Sequence, residues 1–221
     1  MSYEVDTKNA YRNKVKAKAY QDQYIKGAKW ARFTMWRQKY LIEKLLDLCN
    51  LKNDDIILDI PCGTGYIGDI LSHNKATIVA SDISLEMIEL AKSEYYSENF
   101  YGFVQADIAK SPFPDKSFKC LVVLALMHRL PEEVRVDVLS EIERISSKYV
   151  IISYSIESLG QRLKQWVLMK TKRGYIPGPA SIPLEVIHKE LTAVGLKILK
   201  MNHIIYFLSA KVVFLTVKEN F

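Results

Sequence analysis

Three features of this sequence predict an open, Rossmann-like α/β sheet with helices on both faces. Short apolar runs of strand length alternate with segments of helical periodicity. The first run, Ile56-Ile57-Leu58-Asp59-Ile60, ends in a glycine-bearing turn, Pro61-Cys62-Gly63-Thr64-Gly65-Tyr66-Ile67-Gly68, that feeds a helix. Acidic residues then recur where the first three runs end, at Asp59, Asp82 and Asp107, spaced 23 and 25 residues apart. In a parallel sheet such positions share one edge, where ligands of these sheets bind.

With 221 residues, 49% hydrophobic and 25% charged, the chain has the size and composition of one globular domain over 1–221. Its parts are a basic aromatic cap (1–50), a core (51–155), an insertion (156–183) and a terminal helix with a strand hairpin (184–221). No apolar run reaches the roughly 18 residues of a membrane span, and the start has no signal-peptide core, so a cytoplasmic protein is expected. Cys49, Cys62 and Cys120 are odd in number and widely spaced, which argues against a disulfide framework or a zinc site. They read as small apolar fillers, and no metal is expected. The net charge of +6 is carried by residues 1–50, with 11 Lys/Arg and 5 Asp/Glu. Tyr11, Tyr20, Tyr24, Trp30, Phe33 and Trp36 are interleaved there. Such a segment is either a nucleic-acid surface or a helix pair whose aromatics pack on the body.

Residues 8–27 read as a helical leader. Residues 30–49 carry Trp30, Phe33, Leu41, Leu45 and Leu48 at helical spacings, predicting a helix that packs on the sheet. At the first crossover, Gly63 and Gly65 let the backbone approach a ligand, and the following helix start offers unpaired N–H groups. Gly63-x-Gly65-x-x-Gly68 also satisfies the dinucleotide fingerprint, with Asp82 at the required distance. Asp59 discriminates, because a carboxylate four positions before Gly63 repels a pyrophosphate and suits a cation. Here the chain resembles the class I S-adenosylmethionine-dependent methyltransferases, whose first motif is a hydrophobic strand followed by Asp/Glu-x-x-x-Gly-x-Gly. It is similar to their ubiquinone/menaquinone methyltransferase-like group.

The second strand, 76–80, ends at Ser81-Asp82-Ile83, where Asp82 can accept both hydroxyls of a ribose and Ile83 can lie on an adenine. Ser84 caps a helix over 85–94, with Glu86 in its first turn and Met87 turned to the nucleoside. A third strand, 103–108, carries Asp107 and Ile108, which by the resemblance meet the adenine amino group and ring. Pro112-Phe113-Pro114-Asp115-Lys116-Ser117-Phe118 resembles the family stretch before the fourth strand. That strand, 120–125, runs into Leu126-Met127-His128-Arg129-Leu130-Pro131, close to the family's LHHLP pattern with Arg129 in place of the second histidine. On this loop His128 is the candidate general base, or else a packing residue. Pro131 starts a helix lined by Val134, Val138, Ile142 and Ile145, the fifth strand follows at 149–154, and Tyr154 stands at its mouth. Residues 158–170 read as a basic amphipathic helix and 177–183 as a proline-rich loop, together a substrate lid or a membrane-surface helix. A helix to Val194 and strands over 196–205 and 212–217 complete the chain.

The resemblance implies seven strands with the last antiparallel, S-adenosylmethionine as cofactor and S-adenosylhomocysteine as product. It implies cofactor contacts from Asp59, Pro61, Gly63, Gly65, Asp82, Ile83, Met87, Asp107, Ile108 and Leu124, with Tyr24, Arg32 or Arg37 reaching the methionine carboxylate. Arg129 and Tyr154 are the expected acceptor contacts. The expected acceptor is a small molecule, with RNA or protein as the alternative if the basic leader docks a polymer.

Overall fold

The computed structural model describes residues 14–25, 28–156, 166, 169–171, 181–206 and 209–219. Helices α1 (Lys14–Ile25) and α2 (Lys29–Cys49) precede β1 (Ile56–Asp59) and the single-turn α3 (Gly68–Leu71). Then come β2 (Thr77–Asp82), α4 (Leu85–Ala91), β3 (Phe100–Gln105) and β4 (Phe118–Val123). α5 (Glu132–Ile145), β5 (Ser146–Ser155), α6 (Leu184–Ala193), β6 (Leu196–His203) and β7 (Lys211–Lys218) complete it. Of the 156–183 insertion only the ends, Trp166 and residues 169–171 are described, so the expected lid lies largely outside the described residues.

The seven strands are ordered β3-β2-β1-β4-β5-β7-β6. β1 to β5 pair in parallel, and β7 runs antiparallel to both β5 and β6. The expected sheet is therefore present, with helices on both faces. Strand alternation sorts the core into two layers, because successive side chains point to opposite faces. Ile57, Ile78, Cys120, Val122, Ile151 and Leu215 face α2. Leu58, Val79, Leu121, Val150, Ile152 and Phe214 face α5 and α6.

α2 forms because its 38, 41, 42, 45, 46, 49 stripe is buried, and Asn50 ends it in the left-handed region (φ 46°). Burying Leu41, Ile42, Leu45 and Leu46 contributes about 1.5–3 kcal/mol each, enough to anchor the helix without a capping side chain at its start. The aromatics N-terminal on α2 behave otherwise. Trp30, Phe33 and Trp36 are 47–60% exposed, against the alternative that they pack on the body, and Tyr40 beside them is 40% exposed. They stack along the helix at centroid distances of 5.9–6.1 Å.

Several element boundaries also differ from expectation, most tellingly those of β3 and α4. β3 ends at Gln105 rather than Ile108, since Ala106 spends its N–H on the Asp82 carbonyl (3.1 Å) and the chain then turns. α4 stops at Ala91 rather than Glu94, and the Glu94 backbone packs on Gly68. Cys49, Cys62 and Cys120 are buried free thiols, as fillers should be.

Candidate active site

A cleft opens along the C-terminal edge of the parallel strands, and the strand ends supply its floor. Asp59, Pro61 and Gly63 come from the β1 crossover, Asp82, Ile83 and Met87 from the end of β2 and the start of α4. Asp107 and Ile108 follow β3, and Leu124 follows β4. The three carboxylates that are 23 and 25 residues apart in sequence thus line one cavity, because parallel pairing sets their strands side by side.

Each acid is held differently. Asp82 accepts the Gly63 N–H through Oδ2 (2.9 Å) and the Ser84 N–H through Oδ1 (2.9 Å), which fixes its carboxylate plane. Each oxygen keeps lone-pair capacity for another donor. Burial raises its pKa above the ordinary carboxylate value, and the backbone N–H donors oppose that rise. Asp59 is 1% exposed and accepts a hydrogen bond from the Tyr95 hydroxyl. Burial pushes its carboxyl up to about 8 against the pull of that hydrogen bond, with Asp82 adding repulsion. A group so placed ionises readily only when a cation arrives beside it. Asp107 accepts the Ala109 N–H (3.1 Å), capping a short 3-10 turn over Ile108–Lys110.

The glycines divide their work. Gly63 (φ +54°) faces open space, where a Cβ would meet no atom within 4 Å. Gly65 (φ +81°) does not line the cleft: its Cβ would lie 2.6 Å from the Glu94 Cβ, so it allows the turn to pack on the chain after α4. Gly68 is tighter still, with a Cβ only 2.5 Å from the Glu94 carbonyl oxygen.

The wall beyond β4 departs most from expectation. Ala125, at φ 55°, donates its N–H to Ser153 Oγ (2.8 Å), tying this loop to β5. The chain then makes a 3-10 turn, Met127–Arg129, in which residues three apart share a side. Leu126 and Arg129 therefore line the cleft, and His128 does not. Its Nδ1 is buried without a hydrogen-bond partner among the described residues. Burial, then Arg129 and Lys211, lower its pKa to about 4, so it is a neutral and weak base. Tyr154 is corrected as well. As a β5 residue next to Ser153 it points to the opposite face, 1% exposed and edge-on to Phe214 (5.8 Å). Arg37 stacks over Tyr40 (5.3 Å) instead of lining the cleft. Tyr24 lies in α1, but its side chain is outside the described residues.

Sequence reasoning missed Gln38, Tyr66, Tyr95 and Lys211. Gln38 lines the cleft and was visible as the polar member of the buried α2 stripe. Tyr66 lines the cleft too and donates to the Met35 carbonyl (2.6 Å), fastening α2 above it. Lys211 reaches the cleft only because β7 pairs with β5, Lys211 opposite Ser155.

Strand order and edge cleft are those of the Rossmann-like methyltransferase fold. Residues 57–148 match the family model described as "Methyltransferase domain". A malonyl-[acyl-carrier protein] O-methyltransferase of Marinomonas sp. (strain MWYL1) is 35% identical over 82 residues, 36% of this chain and 30% of that protein. A ubiquinone/menaquinone biosynthesis C-methyltransferase UbiE of Pseudomonas paraeruginosa is 29% identical over 100 residues, 42% of this chain and 35% of that protein. The matched part thus spans about a third of these curated relatives. Among solved structures, the magnesium protoporphyrin IX methyltransferase (ChlM) of Synechocystis PCC 6803 with bound SAM superposes with a TM-score of 0.71. It is 16% identical, and the superposition covers 99% of this chain and 98% of that one.

Proposed function

We propose that this protein transfers a methyl group from S-adenosylmethionine to an O, N or C nucleophile of a small-molecule acceptor, releasing S-adenosylhomocysteine. The observation that carries the reading is the convergence of Asp59, Asp82 and Asp107 on one cleft beside the open face of Gly63. The residues fit the cofactor's chemistry. Asp82, its plane set by two N–H donors, suits a pair of ribose hydroxyls. Ile83, Met87 and Ile108 offer apolar surface for a purine, and buried Asp59 suits an ammonium. When bound, the cofactor supplies an electrophilic methyl on a sulfonium.

The chain's part is then to align donor and acceptor and to exclude water, the largest contribution available to an in-line displacement. His128 is assigned a secondary role, because an imidazole held near pKa 4 removes protons weakly. The quinones in the name of one relative and the porphyrin in that of a solved structure support a small acceptor. A second reading, docking of RNA or protein through the N-terminal segment, is favoured by the exposed Trp30, Phe33, Trp36 and Tyr40 ladder. Steep loss of acceptor binding with added salt distinguishes it.

Calorimetry with S-adenosylhomocysteine, and label transfer from S-adenosylmethionine to extract components, test the reading. Asp82→Ala is expected to weaken cofactor binding at least tenfold and His128→Ala less than threefold. Equal losses remove His128 from any role in the chemistry, and no heat from wild-type protein removes the reading itself.

A further inference from the structure

The roof of the cleft carries a polar group that the protein leaves unpaired. In the buried stripe of α2, at 38, 41, 42, 45, 46 and 49, every member is apolar except Gln38. Gln38 is 6% exposed and lines the cleft, and its carboxamide has no hydrogen-bond partner among the described residues. A side-chain amide brings two N–H donors and a carbonyl acceptor, and burying them unpaired is costly. Leucine would extend the stripe without that cost. Packing therefore does not explain the residue, whereas a ligand in the cleft does.

Where Gln38 stands follows from its neighbours on the helix. Met35, three residues earlier and so on the same side of α2, accepts the Tyr66 hydroxyl at its carbonyl (2.6 Å). Lys39, the next residue, pairs with Asp69 (2.7 Å). Tyr66 belongs to the turn after β1 and Asp69 to α3, so Gln38 is pinned above the β1 crossover. One turn further on, Leu41 and Ile42 enter the same apolar cluster as Cys62 and Ile67. α2 also packs against β5 and β7, beyond β4, whereas Asp82 and Asp107 follow β2 and β3 on the other side of β1. The roof thus covers the Asp59 side of the cleft. Arg37, beside Gln38, stacks over Tyr40 (5.3 Å) instead, so the α2 group turned to the ligand is neutral.

A carboxylate such as Asp59 suits an ammonium but repels the carboxylate that an amino acid carries next to it. A carboxamide on the facing side serves both groups, its N–H donating to the carboxylate and its carbonyl accepting from the ammonium. We infer that Gln38 is a binding residue for the amino-acid end of S-adenosylmethionine, held over the β1 crossover by α2. The inference rests on the methyltransferase reading and deepens it by assigning a ligand contact to the roof of the site.

The test is calorimetry on the full chain with S-adenosylhomocysteine and with 5′-methylthioadenosine, which keeps the nucleoside and thioether but lacks the amino-acid end. Wild-type protein is expected to bind S-adenosylhomocysteine at least tenfold more tightly. Gln38→Leu is expected to weaken S-adenosylhomocysteine tenfold or more and 5′-methylthioadenosine less than threefold. Its melting temperature should equal or exceed that of wild type, since an unpaired buried amide has been replaced by an apolar group. Affinities of wild-type protein for the two ligands within threefold of each other overturn the inference, whether or not the variant folds. An unchanged S-adenosylhomocysteine affinity in Gln38→Leu overturns it as well, and an equal loss of both ligands assigns Gln38 to packing of the roof and overturns it too. Failure of S-adenosylhomocysteine to bind wild-type protein overturns the methyltransferase reading, and this inference with it.

Discussion

Asp59→Asn should make the protein more stable and less able to bind its cofactor. Burial raises the Asp59 carboxyl from 3.8 to about 8, so at pH 7 the folded state must hold a proton that the unfolded chain does not. The direction follows directly. A group whose folded pKa is raised contributes its stability below the unfolded value and loses it as pH climbs through the folded one. The window here runs from about pH 4 to about pH 8. At roughly 1.4 kcal/mol per pH unit, the loss reaches about 4 kcal/mol by pH 7. Asparagine is neutral throughout, but its amide N–H groups need partners in a buried place, at about 1–3 kcal/mol. The net gain at pH 7 is therefore about 2 kcal/mol. Paired urea titrations at pH 5, 6, 7 and 8 should show the variant gaining on wild type by about 1 kcal/mol per unit. Its S-adenosylhomocysteine affinity should fall at least tenfold, since an amide cannot ionise beside an ammonium. A stability difference that stays flat from pH 5 to 8 would refute the placement of a buried, protonated Asp59.

Tyr95→Phe keeps the ring packed on Phe100 and Phe103 but removes the hydroxyl that Asp59 accepts. A loss of about 1–2 kcal/mol by urea titration at pH 8.5, with weakened cofactor binding by calorimetry, is expected. Gly68→Ala should cost about 1–3 kcal/mol in stability, because its Cβ meets the Glu94 backbone at 2.5 Å. Gly63→Ala, with open space around its Cβ, should cost only about 1–2 kcal/mol for its left-handed backbone yet lose most cofactor affinity. Thermal melts and calorimetry on the two variants separate packing from ligand space. Glu190→Ala leaves Arg135 buried and stripped of its carboxylate, so a loss of about 3–5 kcal/mol should appear in urea titrations.

The carboxylate-lined side of the cleft was legible because its signals are local. Asp59, Gly63, Asp82 and Asp107 each sit at the end of a strand that can be recognised from its own residues, and parallel pairing does the rest. The wall beyond β4 was legible only in part. Which of His128 and Arg129 faces the ligand depends on a 3-10 turn, whose three-residue repeat cannot be read from a loop sequence. Tyr154 was placed at the mouth of β5 correctly, but the face it takes is fixed by pairing with β7, where Tyr154 opposes Val212. Lys211 carries no local mark at all. The exposure of Trp30, Phe33 and Trp36 marks the opposite limit, since helical spacing identified a stripe while the burial of that stripe extends only from Gln38 onward.

The antiparallel insertion of β7 also sets an order of assembly. β1, β2 and β3 are successive in the chain, so the carboxylate-lined side of the cleft closes through short loops of low contact order. Lys211 reaches its station only when β7 slots between β5 and β6, a closure that joins Tyr149 to Val217. Long closures are slow. A nascent chain therefore forms the carboxylate-lined side of the cleft before Lys211 completes its far wall.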